Sequence, residues 1–398
     1  MKHAGLGLIA LCVLGLTIGA HQQTADGGYI IAGSTMSYTH GSGDVDFLVY
    51  RLDAAGNKLW RKNLGGEGYD EACMVIQAAD GGFLVLGHSD SYTNGCRDFL
   101  AYKLDAAGNK LWRKNYGGEW TDHGYSVQQT ADGGYILAGD SESYANGGWD
   151  FLLYRVDGSG AKLWRKNFGG SQSDTAIAAQ QTTDGGFIVA GLTNSYGPTL
   201  GMWHDFLVYR LDAAGNKLWR KNYGGTYCDH AFSVQQTTDG GFIVAGDSEN
   251  YTHGHCDLLV YKLDAAGTKQ WRKNYGGGGE EFWGFIRQTA DGGYVLAGYT
   301  ESYVHDAMDP RDLIVYKLDA AGDKDWRRNF GGSAADGDFT FVCPTADGGY
   351  FLFGESWSYH AGIGDNTDFL CYKLDAAGNK LWRKNFGGSG DEYIEIWD

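Results

Sequence analysis

Two cysteines and three histidines gather within one short stretch of this 398-residue chain: Cys228 and His230, then His253, His255 and Cys256. Thiolate sulfur and imidazole nitrogen are the donors that hold zinc, so Cys-x-His followed by His-x-His-Cys has the makings of a metal centre. The same residues admit another chemistry. In an exported chain, Cys228 and Cys256 more simply form a disulfide. Cys73, Cys96, Cys343 and Cys371 complete an even set of six beyond Cys12. Cys343 and Cys371 fall on non-adjacent strands and are expected as free core thiols.

Carboxylates offer a second chemistry. Cleavage of a glycosidic bond needs two of them about 5–10 Å apart, and Asp140, Glu142, Asp247, Glu249, Glu301 and Glu355 all end strands on one side of the molecule. With 49 acidic residues in the chain, some pair always looks plausible, so this signal is unspecific. There is no nucleophile elbow, metalloprotease helix or phosphate loop in the sequence. Aromatic side chains offer a third chemistry, stacking. Trp120, Trp149 and Trp203 stand in variable loops among carboxylates, hydroxyls and the imidazoles of His123, His204, His230, His253 and His255. Sugar rings stack on such residues and hydrogen-bond to their neighbours, and protein partners use the same composition. These residues, with Asp140 and Asp247, form the candidate ligand-binding set.

The elements that must position them are seven copies of one unit. Trp60, Trp112, Trp164, Trp219, Trp271, Trp326 and Trp382 stand in register inside copies of DFLVYRLDAAGNKLWRKN(Y/F)GG, 52 to 56 residues apart. A second fixed phrase, DGG followed by an aromatic residue, recurs at Asp26, Asp80, Asp132, Asp184, Asp239, Asp291 and Asp347. In the copy from Asp122 to Gly170, HGYSVQQT, YILAGDSES, DFLLYRV and KLWRKNF each alternate or run apolar as strands do, separated by glycine turns. Four antiparallel strands repeated seven times predict an all-β, seven-bladed propeller. The chain ends on a partial repeat, DEYIEIW, and the first repeat lacks its opening strand. The last strand is therefore expected to complete the first blade beside Tyr29–Gly33.

The first twenty residues differ in kind. Lys2 and His3 precede an apolar run ending in Gly19 and Ala20, the layout of a secretory signal peptide. Residues 21–398 then form one propeller domain, secreted, periplasmic or at the cell surface, expected to be monomeric and without membrane insertion. A sequon, Asn250-Tyr251-Thr252, is present.

Comparing the seven copies separates scaffold from individuality. The ADGG and DAAGN turns share one nearly invariant rim, and the loops on the opposite rim differ in every copy, as binding loops of repeat arrays do. Of 32 basic residues, 28 occupy four fixed columns (Arg51, Lys58, Arg61, Lys62 and their equivalents), leaving Lys2, Arg97, Arg287 and Arg311 outside. Acids including Asp44, Asp70, Asp122, Asp174, Asp229, Glu280, Glu281 and Asp365 fall at the variable rim, so the net charge of −17 is expected to concentrate there. That speaks against nucleic acid as a partner. The Asp70 column suggests either a cation ring, structural calcium for example, or carboxylates that accept loop amides; its uniformity favours the second. The Tyr38 column, present in every copy, reads as loop packing.

The unit resembles bacterial and archaeal β-propeller repeats of the GGxxxD…DGGY(I/V)xxG type, and LDAAGNKLW is similar to the LDAxTGxxxW turn of quinoprotein-like propellers. The resemblance covers the whole chain after the leader and implies the fold. Members of such families carry lipoprotein or endoglucanase names by transfer, and no fixed phrase here supports an enzymatic one. The expected function is non-catalytic recognition of an extracellular glycan or protein by the variable rim, with no cofactor beyond a structural calcium or zinc. A glycan-cleaving hydrolase on the same face is the alternative, and a redox propeller lacks its cofactor constellation.

Overall fold

The computed structural model describes residues 21–40, 44–197, 203–252, 255–304, 311–337, 340–359 and 366–394. They form seven antiparallel sheets, each built from four consecutive strands with a short C-terminal strand added to the first, arranged as the blades of a closed propeller. Blade 3 is representative, with strands Asp122–Gln129, Tyr135–Ser141, Asp150–Val156 and Lys162–Phe168 in spatial order. Its second and third strands are buried along their whole length, because blades stack on both faces and leave neither wet. Only the fourth, outermost strand is exposed, and there the charged residues keep an open edge from recruiting another chain.

Each fixed column has a visible task. The Trp164 indole seats the next blade's turn: a Cβ added at Gly215, whose φ is +75°, would lie 3.0 Å from that ring. Trp382 does the same for Gly56 and so joins blade 7 to blade 1. The buried Arg51 head reaches Asp26 at 2.5 Å, and a Lys or Arg pairs with the DGG aspartate in all seven blades. Arg61 lies 3.5 Å over the Tyr38 ring, and six equivalent pairs repeat the contact. Each of these tyrosines also donates its hydroxyl to a glycine carbonyl of the preceding repeat, as Tyr144 does to Gly117 at 2.7 Å. The Tyr column is packing, as expected.

A latch not anticipated from the sequence joins the blades at the invariant rim. The side-chain oxygen of Gln129 accepts the Ala79 N–H of the preceding blade at 2.7 Å, and Gln77, Gln181, Gln236, Gln288 and Gln23 repeat it. Pro344 occupies the seventh position, where no such acceptor exists.

The ring closes by strand exchange, but the described terminal residues do not pair beside Tyr29–Gly33 as expected. His21–Gln23 pairs with Ile31–Tyr29, and Glu392 and Tyr393 pair with Thr35 and Ser34 on the same strand. Glu392 and Tyr393 thus lie beside Ser34–Thr35, and His21–Gln23 occupies the Tyr29–Ile31 stretch. Thr35 donates its hydroxyl to Glu392 at 2.8 Å inside this clasp. Along the axis, Cys73, Tyr125, Ile177, Phe232, Phe285 and Phe341 from the first strands meet in one buried cluster. Phe285 and Phe341 ring centroids are 4.3 Å apart, so the centre is filled by side chains.

Candidate functional site

The variable rim is built from junctions between blades. The amide of the acid that heads each first strand donates to the carbonyl just before the preceding blade's third strand: Asp122 to Arg97, Asp174 to Trp149, Asp229 to His204, Glu281 to Cys256. A residue before a third strand is thereby carried to the next blade. Three side chains per junction take their identity from this pairing, the residue before the third strand and the two flanking the acid.

The acids that head those strands do not face solvent. Asp70, Asp122, Asp174, Asp229 and Glu281 are fully buried. Asp122 accepts the Gly118 N–H and the Ser143 hydroxyl, both at 2.8 Å, and Asp70 is held by Gly66, Ser89 and Ser91. This column therefore ties loops together, and these five carboxylates do not contribute to a charged surface there; the expectation of concentrated charge is corrected to that extent. Beside each stands a second buried acid from the Asp46 column. Burial, reinforced by the Asp174 charge, pushes Asp150 up to about 6, and burial raises Asp205 to about 6 as well. In the clasp, burial raises Glu392, with the adjacent Asp368 adding to the shift.

What the rim does expose is aromatic. Among the described residues, apart from a leucine column on the outer strands, the exposed large apolar side chains are Met36, Tyr69, Trp120, Trp203, Tyr227 and Trp357, all on this rim. Trp120 is 60% exposed and Trp203 37%. Trp149 is half-buried, stacked on His123 with centroids 4.9 Å apart and planes at 16°. With Asp90, Thr93, Gly95, Cys96, Arg97 and Thr121 they line a concavity of about 590 Å³ between blades 2 and 3. Asp90, Arg97 and His123, which line it, each have a partner. His123 meets Asp140 at 3.1 Å, and Arg97 contacts Asp90 at 3.1 Å and Glu71 at 3.1 Å. Glu71 also meets His88 at 3.0 Å. The hydrolytic candidates Asp140 and Asp247 are thus each bound to a histidine, Asp247 to His230 at 2.8 Å.

At the next variable junction but one, blade 4 to blade 5, His204 Nδ1 lies 3.2 Å from His230 Nε2, and Cys228 completes a group of three donors. Burial and the neighbouring His230 bring His204 down to about 4. Burial alone would lower His230, but the Asp247 charge and hydrogen bond carry it up to about 10. The grouping expected from sequence is corrected here. All six cysteines among the described residues are free, so Cys228 and Cys256 form no disulfide. His255 and Cys256 line a separate concavity of about 360 Å³ with Tyr227, Glu249, Thr252 and Glu280. The reason is the junction rule: the Cys256 carbonyl binds Glu281 of blade 6, and the His204 carbonyl binds Asp229 of blade 5. His253 lies outside the described residues. His204, named from sequence only as a rim residue, is the group's third member, and its place beside Cys228 and His230 was not anticipated. Asn250 of the sequon is committed to the fold, donating to Asp229 at 2.7 Å and Tyr227 at 2.8 Å.

No family model matches the chain. A stretch of 158 residues, 33% of this chain, is 24% identical to the regulatory protein FlaEY of Caulobacter vibrioides, of which it covers 17%. The chain thus spans about a sixth of that relative's length. Among solved structures, it is similar to the Pan2 WD40 domain of Neurospora crassa, with TM-score 0.51, 10% identity and 85% of each chain covered. The apocarotenoid oxygenase of Synechocystis, as its Glu150Gln mutant, gives TM-score 0.50 at 11% identity over 92% of this chain and 91% of that one. A protein of unknown function from Bacteroides caccae gives TM-score 0.45 at 14% identity over 75% and 93%. At these identities the likeness is one of fold.

Proposed function

We propose that this chain is an exported, non-catalytic binding propeller of the secreted bacterial repeat type, recognising a neutral glycan at the concavity between blades 2 and 3. One observation carries the reading: among the described residues, beyond the outer-strand leucines, the large exposed apolar side chains gather on the single rim that varies between repeats. Exposed aromatic rings among hydroxyls and carboxylates are surfaces on which sugar rings stack. Trp149, stacked against His123, supplies a flat face, the exposed Trp120 precedes the lining residue Thr121 in the chain, and Thr93, Thr121, Asp90 and Arg97 supply hydrogen-bond partners. A volume of about 590 Å³ suits a small ligand of a few rings. Because the carboxylates at and beside it, Asp90, Glu71 and Asp140, are held in contacts with Arg97 or His123, the pocket suits a ligand of neutral hydroxyls.

The test is a glycan array with wild type, Trp149→Ala and Trp120→Ala, followed by calorimetry on the hits. Loss of a stacked indole removes on the order of 1.5–3 kcal/mol, roughly 10- to 150-fold in affinity. Undiminished binding by both variants would remove the pocket from the reading. Release of free sugar on incubation would establish a hydrolase instead, and capture only of protein ligands would move the partner class.

A further inference from the structure

The junction between blades 4 and 5 carries a combination found at no other junction. The three junction positions read Val45, Tyr69, Glu71 at the first and Arg97, Thr121, His123 at the second. They read His204, Cys228, His230 at the fourth, the one place where all three are metal-binding types. In a chain whose repeats are near-duplicates, the scaffold does not require these residues there. We propose that His204, Cys228 and His230 form a zinc site, with Asp247 as the outer partner that orients His230.

The geometry supports this at each step. The donor atoms of the three side chains all lie within 4.8 Å of one another. His204 Nδ1 and His230 Nε2 are 3.2 Å apart. Two nitrogens bound to tetrahedral zinc at about 2.0–2.1 Å are separated by about 3.3 Å, so the imidazoles already span one edge of the coordination polyhedron. His230 offers Nε2 to that edge because its Nδ1 faces Asp247 Oδ1 at 2.8 Å. The second oxygen of Asp247 accepts the Trp283 N–H at 3.0 Å, where the backbone of Trp283 has φ +61°. Both oxygens of the orienting carboxylate are thus engaged, the arrangement that fixes ring tautomer and direction in metal centres. Cys228 is anchored through its carbonyl to the Glu249 N–H, and His204 through its carbonyl to the Asp229 N–H. Two nitrogens and one sulfur suit zinc among the abundant divalent ions. The fourth position is left to water or to a bound ligand, near the exposed Trp203 and Tyr227, whose centroids are 6.5 Å apart.

The experiment uses the full chain in a non-thiol reductant. Zinc is titrated calorimetrically and counted by elemental analysis, and cobalt is added in parallel as a spectroscopic probe. The expected result is one zinc per chain and a tetrahedral cobalt spectrum containing a sulfur-to-cobalt charge-transfer band. His204→Ala and Cys228→Ser should lose the site while melting like wild type, and His255→Ala should keep it. Asp247→Asn should weaken zinc roughly 10- to 100-fold. No zinc on the wild-type protein, a cobalt spectrum without the sulfur band, retention by His204→Ala, or loss in His255→Ala would each overturn the assignment.

Discussion

Replacing Asp150 by asparagine should make the propeller more stable at neutral and alkaline pH, an unusual outcome for removing a fully buried charge. Asp150 heads the third strand of blade 3, and its Oδ2 accepts the Asn146 N–H at 3.0 Å. Its Oδ1 is buried with no hydrogen-bond donor among the described residues. The Asp174 carboxylate is close by: a Cβ on Gly169 would meet Asp150 Oδ1 and, at 2.8 Å, Asp174 Oδ2. Burial and this neighbour push Asp150 from 3.8 up to about 6. Between those values the folded chain holds a proton that the unfolded chain has released. Stability is therefore fully present below about 3.8 and is lost as pH rises through 6. At about 1.4 kcal/mol per pKa unit, the stability lost relative to low pH is about 3 kcal/mol at pH 8 and about 1.5 kcal/mol at pH 5. Asparagine keeps the shape, accepts from Asn146, and turns an amide N–H toward Asp174. Urea unfolding followed by tryptophan fluorescence from pH 5 to pH 8 should give a variant-minus-wild-type difference that grows by about 1.4 kcal/mol over that interval. His21 titrates oppositely: burial, then the Arg287 charge, lowers it to about 3, so it destabilises as pH falls below 6.5. That contribution is common to both proteins and cancels in the difference. A flat difference, or a variant that loses ground toward pH 8, would refute the reasoning.

Three further perturbations test the scaffold. Pro344→Gln should supply the one missing inter-blade latch and add about 0.5–1.5 kcal/mol, read as a raised urea midpoint; an unchanged or lowered midpoint counts against the latch. Gly215→Ala places a Cβ at φ +75°, 3.0 Å from the Trp164 ring, and should cost at least about 1–2 kcal/mol in thermal unfolding, most of it persisting in a Trp164→Leu background. Arg165→Gln removes the guanidinium 3.4 Å above Tyr144 and should cost about 0.5–2 kcal/mol; an equal loss in a Tyr144→Leu background would show that the ring contact contributes nothing.

The seven-fold comparison made most of the fold legible because a residue present in every copy must serve something every blade has. The Trp column, the Tyr column and the buried basic column each met that test, and each turned out to touch the same neighbour seven times. Two kinds of information stayed hidden, for one physical reason. The Gln latch and the His204–Cys228–His230 group both lie between blades, and a reading that takes the repeat as its unit cuts every such contact in half. Grouping Cys228 with His255 and Cys256 followed from their shared blade. Yet the backbone hands the residue before each third strand to the following blade, so Cys256 serves the junction after the one Cys228 serves. The repeat is the unit of covalent order, whereas the junction is the unit in which rim side chains meet. Any residue chosen for a function on this rim should therefore be judged with its partners one blade later. By that criterion the junctions at Arg97–His123 and His204–His230 are where the proposed glycan and zinc readings have to be tested.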